Sequence, residues 1–546
     1  FESGSIRDRP RRFRSLHGRV SHLGMARAPL PEQELELVAT FREVVLAGWA
    51  SAVRPRPRGM RSSFPVGEIQ ESRELVPTKS LDSRPDGSPW LGSMDRILTP
   101  LSLDDLGRFS LGPAVHDVRA VIGDTVCNAM PYCICPATRT IVLVQHDPGF
   151  SPTDAPFMFV GQRQSVKRIV AVPWQQAIAL AESLPEAKDM GPVLLIQMTG
   201  RCGSTVLTKA LEWLDVGCQS VSEPDFFAHV HEMLERGLCS REEAVRVTRA
   251  AVLMLVHQRR RSHPDKQVVV IKNRTLAPLW RSCDLMPEAL PQVQQLFQWR
   301  TVEDVIGSFN AATESNMVSG SAKYLAQHSM DGVFWPLSGS PAVRWMERMD
   351  TALREDPLLA LPGLELPDLS PHHFARHGAL GFLTFMSIVD SHVAVALGQR
   401  GLFAHTLKYE DLMERKSAAV RELLEALGWL HLVPNASVLG TPEADQVFLR
   451  DAHAGGGLAK GSGTTLGGDM KQLERSKLAA ASGQGARENA HLPQHRAEVV
   501  RGLMRRHALL QHRGYNLDTS QTDGELKKPE HKSVECWSGK SVLGGA

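Results

Sequence analysis

Val193-Leu194-Leu195-Ile196-Gln197-Met198-Thr199-Gly200-Arg201-Cys202-Gly203-Ser204-Thr205-Val206-Leu207 runs from an apolar strand through a small glycine loop into the start of a helix. Glycine tolerates the tight backbone turns that such a loop needs. The N–H groups of Cys202, Gly203, Ser204 and Thr205 then converge with the positive end of the helix on one point, where an anionic group is favoured. Arg201 adds a fixed cation to that cradle. A purely structural strand-to-helix turn is the other reading of the same residues.

The loop is not a Walker A motif, which places four residues between its glycines and follows them with Gly-Lys-Ser/Thr. Here Gly200 and Gly203 enclose only Arg201 and Cys202, and no lysine follows. A second strand-to-helix step lies at Gln292–Arg300 and Thr301–Phe309, and its spacing lets Arg300 and Ser308 meet one ligand. Alternatively, Arg300 pairs with Asp304 along the helix face. A third step joins a strand, Leu402–Lys408, to the turn Tyr409-Glu410-Asp411-Leu412 and a helix, with Asp411 placed to cap it.

In this order, over the region from Gly191 to Asn516, the three segments resemble the sulfotransferases that use 3′-phosphoadenosine-5′-phosphosulfate (PAPS). The resemblance implies that Gly200, Arg201, Cys202, Gly203, Ser204 and Thr205 hold the 5′-phosphosulfate, and that Arg300 and Ser308 bind the 3′-phosphate. The family's usual Asp-Pro after that arginine is replaced by Thr301-Val302. Ser222-Glu223-Pro224 resembles a Glu-Pro turn of carbohydrate-type and bacterial members, in which the glutamate faces the acceptor. The stretch Ala454–Lys460 stands in place of a late basic, glycine-containing loop, with Lys460 as its cation.

Sulfuryl transfer asks a protein to align donor and acceptor, stabilise charge on the bridging oxygen and take a proton from the nucleophile. Arg201 and Lys272, expected just after the strand Gln267–Ile271, supply positive charge, and Glu223 is the candidate general base. His229 and His231 on the following helix are its rivals, and a capping or surface role for Glu223 stays open. No strand ends in the aspartate that P-loop NTPases use for magnesium, so the expected reaction requires no metal. The resulting expectation is a transferase moving sulfuryl from PAPS to a hydroxyl or amine of a small molecule or carbohydrate. The alternatives are a P-loop nucleotide kinase or NTPase, and a catalytically inactive domain that binds a nucleotide or partner.

Strands at Val193–Met198, Gln267–Ile271, Val293–Trp299 and Leu402–Lys408 alternate with helical patterns, which demands a parallel sheet covered on both faces. The expected fold is therefore α/β, and the resemblance implies a three-layer P-loop-type sheet over residues 189–517. Residues 1–110, rich in Arg, Pro, Ser and Gly, read as loosely ordered around one amphipathic helix candidate, Glu32–Ala50. Residues 111–188 read as a small β-containing extension with runs at Thr140–Val144, Phe157–Val160 and Arg168–Val172, and residues 518–546 as a disordered tail. Ser240-Arg241-Glu242-Glu243 carries a capping-box pattern, and a last helix is expected over Ala497–His512.

With 62 Lys and Arg against 60 Asp and Glu in 546 residues, charge makes no global case for nucleic-acid binding. The arginine clusters near the N-terminus read as solvated chain, with acidic lipid or nucleic acid as the other reading. Eight cysteines are too few for a disulfide framework, and the spacing of Cys127, Cys133 and Cys135 fits buried or free thiols better than zinc. Ala379–Gly398, the longest apolar stretch, holds Asp390, Ser391 and His392 and reads as a buried core helix rather than a membrane span. The chain begins with Phe1, so an upstream leader or anchor, and with it a cytoplasmic or Golgi-lumenal location, stays open.

Overall fold

A computed structural model describes residues 68–77, 109–123, 129–146, 158, 162, 166–214, 216–276, 279–315, 341–361, 370–449 and 494–504, which form two five-stranded sheets and the helices around them. The first sheet comprises β1 (Arg73–Pro77), β2 (Phe109–Ala114), β3 (Ala129–Cys135), β4 (Thr140–His146) and β5 (Val166–Pro173), with helix α1 (Val118–Gly123) before β3 and α2 (Trp174–Glu182) after β5. Its order is β2-β1-β5-β4-β3 and every pairing is antiparallel. β1 lies within the stretch read as loosely ordered, where Arg73-Glu74-Leu75-Val76-Pro77 is too short and too charged to stand out as a strand. The run Phe157–Val160 was expected to be β-like, yet its one described residue, Met158, is helical and buried.

The second sheet is parallel, with β6 (Val193–Met198) at its centre, followed by α3 (Ser204–Trp213), β7 (Cys218–Ser222), α4 (Phe226–Glu235), α5 (Arg241–Ser262), β8 (Val268–Thr275), α6 (Trp280–Ala289), β9 (Val293–Trp299) and α7 (Val302–Ser315). Helices α8 (Pro341–Glu355), α9 (Pro371–Ala375) and α10 (Gly378–Gln399) precede β10 (His405–Lys408), and α11 (Tyr409–Arg415), α12 (Ser417–Ala426), α13 (Pro442–Asp445) and α14 (Gln494–Met504) follow it. Strand order is β10-β9-β6-β8-β7. Side chains alternate across a strand. Val193 and Leu195 therefore enter one apolar core with Phe226, Leu255 and Phe385, while Leu194 and Ile196 enter another with Leu207, Leu211 and Leu423. Both faces of the sheet are covered, as the α/β expectation requires.

From β6 the chain runs to the edge strand β7, returns to β8, and then crosses to β9 on the other side of β6. That reversal makes the carboxyl ends of β6 and β9 the switch point, and open parallel sheets receive ligands in the crevice beyond such a point.

Several boundaries differ from the sequence reading. β8 continues to Thr275, so Lys272 lies inside the strand, opposite Ser222 and Ile196, rather than after it. β7 was not anticipated, and β10 begins at His405 instead of Leu402. Asp411 sits in the first turn of α11 and Lys408 holds the N-cap position. The capping box of α5 is present, with Ser240 Oγ accepting from Glu243 N and Ser240 N donating to Glu243. Cys133 and Cys135 are buried in β3, and burial pushes the Cys135 thiol up. Asn273, which opens an Asn-x-Thr acceptor sequence with Arg274 and Thr275, is buried, leaving no room for a glycan. Glu32–Ala50, Cys127, Lys460 and the 518–546 tail lie outside the described residues.

Among the described residues one helix stretch, Leu380–Gln399, is long and apolar enough to cross a membrane, and most of it is buried inside the protein. Its hydroxyls are satisfied locally: Thr384, Ser387 and Ser391 each donate to the carbonyl four residues earlier. Trp345 on α8, partly buried, packs edge-on against Phe382 and Phe385 at the border of the core.

Candidate functional site

The loop between β6 and α3 is tied to β9 from below. Thr199 N donates to Gln298 O at 3.0 Å, and the Gln298 side-chain amide donates to Cys202 O at 3.2 Å. Two residues then take left-handed backbone, Arg201 with φ 58° and Gly203 with φ 74°. Only glycine adopts that region without steric cost, and a strained non-glycine residue persists where its surroundings hold it. At Gly203 a second constraint applies, because a Cβ there would come within 2.3 Å of Cδ2 and Cε2 of Tyr409.

Gly203 is the N-cap of α3, and its carbonyl accepts from Val206 N and Leu207 N at 2.8 and 3.1 Å. The N–H groups of Ser204 and Thr205 precede those first intrahelical bonds and belong to the set a helix leaves for other acceptors. Cys202 is wholly buried and its thiol is pushed up to about 11, chiefly by desolvation. It is thus a neutral packing group. Ser204 Oγ turns back to Met198 Sδ at 2.6 Å.

On one side of the loop stand Arg201, Arg300 and Ser308. Arg201 Nε donates to Ser308 Oγ on α7 at 3.2 Å. Burial, and next the charge of Arg300, lower the Arg201 pKa, although a guanidinium keeps its proton in any protein setting. Arg300, just beyond β9, lies over the Tyr409 ring with Cζ 4.4 Å from the centroid, and its Nε is 3.6 Å from Glu410 Oε1. Asp304, the alternative partner considered for Arg300, accepts from Thr301 Oγ1. Burial pushes the Glu410 carboxyl up.

On the other side, Lys272 is 1 % exposed at its side chain, and its Nζ lies 3.1 Å from Thr205 Oγ1 and 2.8 Å from Glu223 Oε1. An uncompensated buried ammonium is costly, and the Glu223 carboxylate supplies the opposite charge beside Lys272. Glu223 also has left-handed backbone, φ 59°, and its N–H donates to Lys272 O at 2.6 Å. Its carboxylate is 13 % exposed. Asp225, two residues on, is fully buried and ion-paired with Arg274 of β8.

Of the sequence-predicted residues, Gly200–Thr205, Arg201, Arg300 and Ser308 come together around the loop, and Lys272 and Glu223 join them through Thr205. The rival histidines do not share that position. His229 is buried in α4, and His231 packs edge-on against Trp280 at 4.2 Å, with its Nδ1 accepting from Arg281 N at 3.4 Å. Burial, followed by the charges of Arg281 and Arg348, drives the His231 pKa down to about 3, which makes it a poor base.

Two features escaped the sequence reading. Tyr409 and Glu410 both touch Arg300, and the signal was the Tyr-Glu-Asp-Leu turn read only as a helix cap. Beneath the site a buried amide chain crosses three strands: Asn273 donates to Gln197, Gln197 to Gln295 and Gln295 to Cys283 O. Amides within otherwise buried strands were its only trace in the sequence.

Two guanidinium groups and a helix N-terminus at one place, with a buried ammonium beside them, can hold a ligand bearing more than one anionic group. No protein-family model and no curated protein matches the chain. One solved structure, described as a sulfotransferase from Alicyclobacillus acidocaldarius, aligns with 47 % of this chain and 90 % of its own at 11 % identity and a TM-score of 0.25, a likeness too distant to carry an argument.

Proposed function

We propose that the chain is a PAPS-dependent sulfotransferase built on a three-layer P-loop-type α/β domain, moving a sulfuryl group to a hydroxyl or amine of a small-molecule or glycan acceptor. The observation that carries this reading is the meeting of Arg201, Arg300 and Ser308 beside the glycine loop that opens α3. Like charges as close as Arg201 and Arg300 repel, and an anionic ligand relieves the repulsion.

In this reading the loop N–H groups and Arg201 hold the 5′-phosphosulfate, while Arg300 and Ser308 hold the 3′-phosphate. Lys272 withdraws charge from the bridging oxygen as the bond between sulfur and the 5′-phosphate breaks. Glu223 accepts the proton of the acceptor as its oxygen or nitrogen bonds to sulfur, and 3′,5′-ADP (PAP) leaves. A nucleotide kinase would put a lysine in the loop, where this chain has Cys202-Gly203, and an aspartate at the end of a strand, where β8 ends in Arg274-Thr275.

The test is transfer of radiolabel from sulfur-labelled PAPS to a panel of hydroxyl and amine acceptors. Glu223→Gln is expected to slow transfer by about 10²–10⁴, the usual worth of a general base. Magnesium-dependent ATP turnover without sulfuryl transfer would point to the kinase class, and PAP binding without transfer to an inactive nucleotide-binding domain.

A further inference from the structure

The turn between β7 and α4 is tied to β8 at three points: Glu223 N donates to Lys272 O, the Glu223 carboxylate pairs with Lys272 Nζ, and the Asp225 carboxylate accepts from Arg274 Nη2. Two carboxylates two positions apart on the turn thus answer two cations two positions apart on the strand. The second pair coincides with an irregularity in β8. Ile196 stands opposite Lys272 and Met198 opposite Thr275, so Asn273 and Arg274 occupy the span that Gln197 fills alone in β6. A bulge of this kind bends a strand and re-aims a side chain. Asn273 braces it, with Oδ1 accepting from Arg274 N at 3.0 Å and Nδ2 donating to Gln197 at 3.2 Å.

Asp225 holds the N-cap position of α4, where an aspartate ordinarily accepts from the first N–H groups of the helix, yet it makes no cap hydrogen bond. Its carboxylate is given to Arg274 instead, with the Asp225 side chain fully buried and that of Arg274 15 % exposed. An ion pair this deep is a weak source of net stability, because desolvation offsets the attraction, but removing one partner leaves the other a costly buried charge. Such a pair fixes geometry. Beside it is Glu223, whose φ of 59° is a conformation that a glutamate keeps only where its surroundings hold it. Pro224, with its ring-locked φ, joins the two carboxylate residues and leaves the short link between them little freedom.

We infer that the Asp225–Arg274 pair is a positioning device that clamps this turn to β8 and keeps the Glu223 carboxylate beside Lys272, where the proton of the acceptor is taken. This rests on the reading of Glu223 as the general base. Asp225 and Arg274 take no proton themselves, and both act through Glu223.

The experiment follows transfer from sulfur-labelled PAPS to whichever hydroxyl or amine acceptor wild type sulfates fastest, in wild type, Asp225→Asn, Arg274→Gln, Arg274→Lys, Glu223→Gln and doubles of Glu223→Gln with each of the first two. Hydrogen–deuterium exchange of the peptide around Glu223 is measured in the same proteins without ligand. Asp225→Asn and Arg274→Gln are each expected to lower kcat by about tenfold to a hundredfold, the scale of a misplacement of about 1 Å, and to speed exchange at the turn. Arg274→Lys keeps the charge and is expected to recover most of the rate. In the Glu223→Gln background neither substitution is expected to slow transfer further, because the base through which the pair acts is already gone. A role in stability alone would slow transfer equally in both backgrounds, and that result overturns the inference. Unchanged kcat or unchanged exchange in the single variants overturns it as well. Arg274→Gln, at the more exposed partner, carries the test if Asp225→Asn does not fold. Wild type that sulfates no acceptor defeats the functional reading instead, and exchange then decides the clamp: faster exchange in the single variants upholds it and unchanged exchange overturns it.

Discussion

Gly203 has no alternative at its position, since its φ of 74° lies in the left-handed region and the Tyr409 ring fills the side-chain space. Gly203→Ala is expected to cost about 1–3 kcal/mol of stability from backbone strain, with further loss from displacing Tyr409, read as a lower urea midpoint. A second residue-scale prediction concerns acid. His231 has a folded-state pKa of about 3 against an ordinary 6.5, because burial, then Arg281 and Arg348, disfavour its cation. The unfolded chain therefore takes up this proton first. The contribution of His231 is complete above about pH 6.5 and is lost progressively as pH falls toward 3. His231→Phe, which retains a ring against Trp280, is expected to flatten the stability profile over that interval, and an unchanged slope would assign the acid sensitivity elsewhere. At this scale the loop was legible because few residue types serve a turn that opens onto a helix N-terminus. Tyr409 and Gln298 were not, because their partners Arg300 and Cys202 lie 109 and 96 positions away and meet them only through the sheet.

Among the elements, α5 shows local chemistry acting on the whole. Ser240 and Glu243 satisfy each other's backbone donors, Glu243 also pairs with Arg139 from the turn between β3 and β4, and the helix then buries Val247, Ala251, Leu255 and their neighbours. Ser240→Ala is expected to cost about 1 kcal/mol, measured by thermal or urea denaturation, and more than about 2 would mean that the Arg139 contact falls with the cap. Strand limits were legible where the apolar run and the strand coincide, as in β6. They were missed where polar residues continue a buried strand. Lys272 and Asn273 remain in β8 because Thr205, Glu223 and Gln197 answer their polar groups, a compensation that no local window contains. The polar strand Cys218–Ser222 was missed for a related reason: Glu212 takes the N–H and hydroxyl of Ser220.

Across the whole molecule, one apolar core joins the antiparallel sheet to the parallel one. Ile134, Leu143 and Val170 share it with Leu255 of α5 and with Val193 and Leu195 of β6. The α/β class followed from alternating strands and helices. The strand order, and with it the crevice between β6 and β9, depends on which strands pair, and hydrophobic periodicity carries no information about partners. The central claim concerns that crevice: a ligand with 5′ and 3′ phosphates binds across it, between the loop after β6 and Arg300 after β9. Calorimetric titration of PAP into wild type, Arg201→Ala and Arg300→Ala, with magnesium–ATP as the control ligand, tests it most directly. The account predicts tight binding to wild type and a loss of roughly 1.5–3 kcal/mol in each variant, the worth of a charge-assisted hydrogen bond. Folded protein that does not bind PAP, or binding that neither substitution weakens, would contradict it.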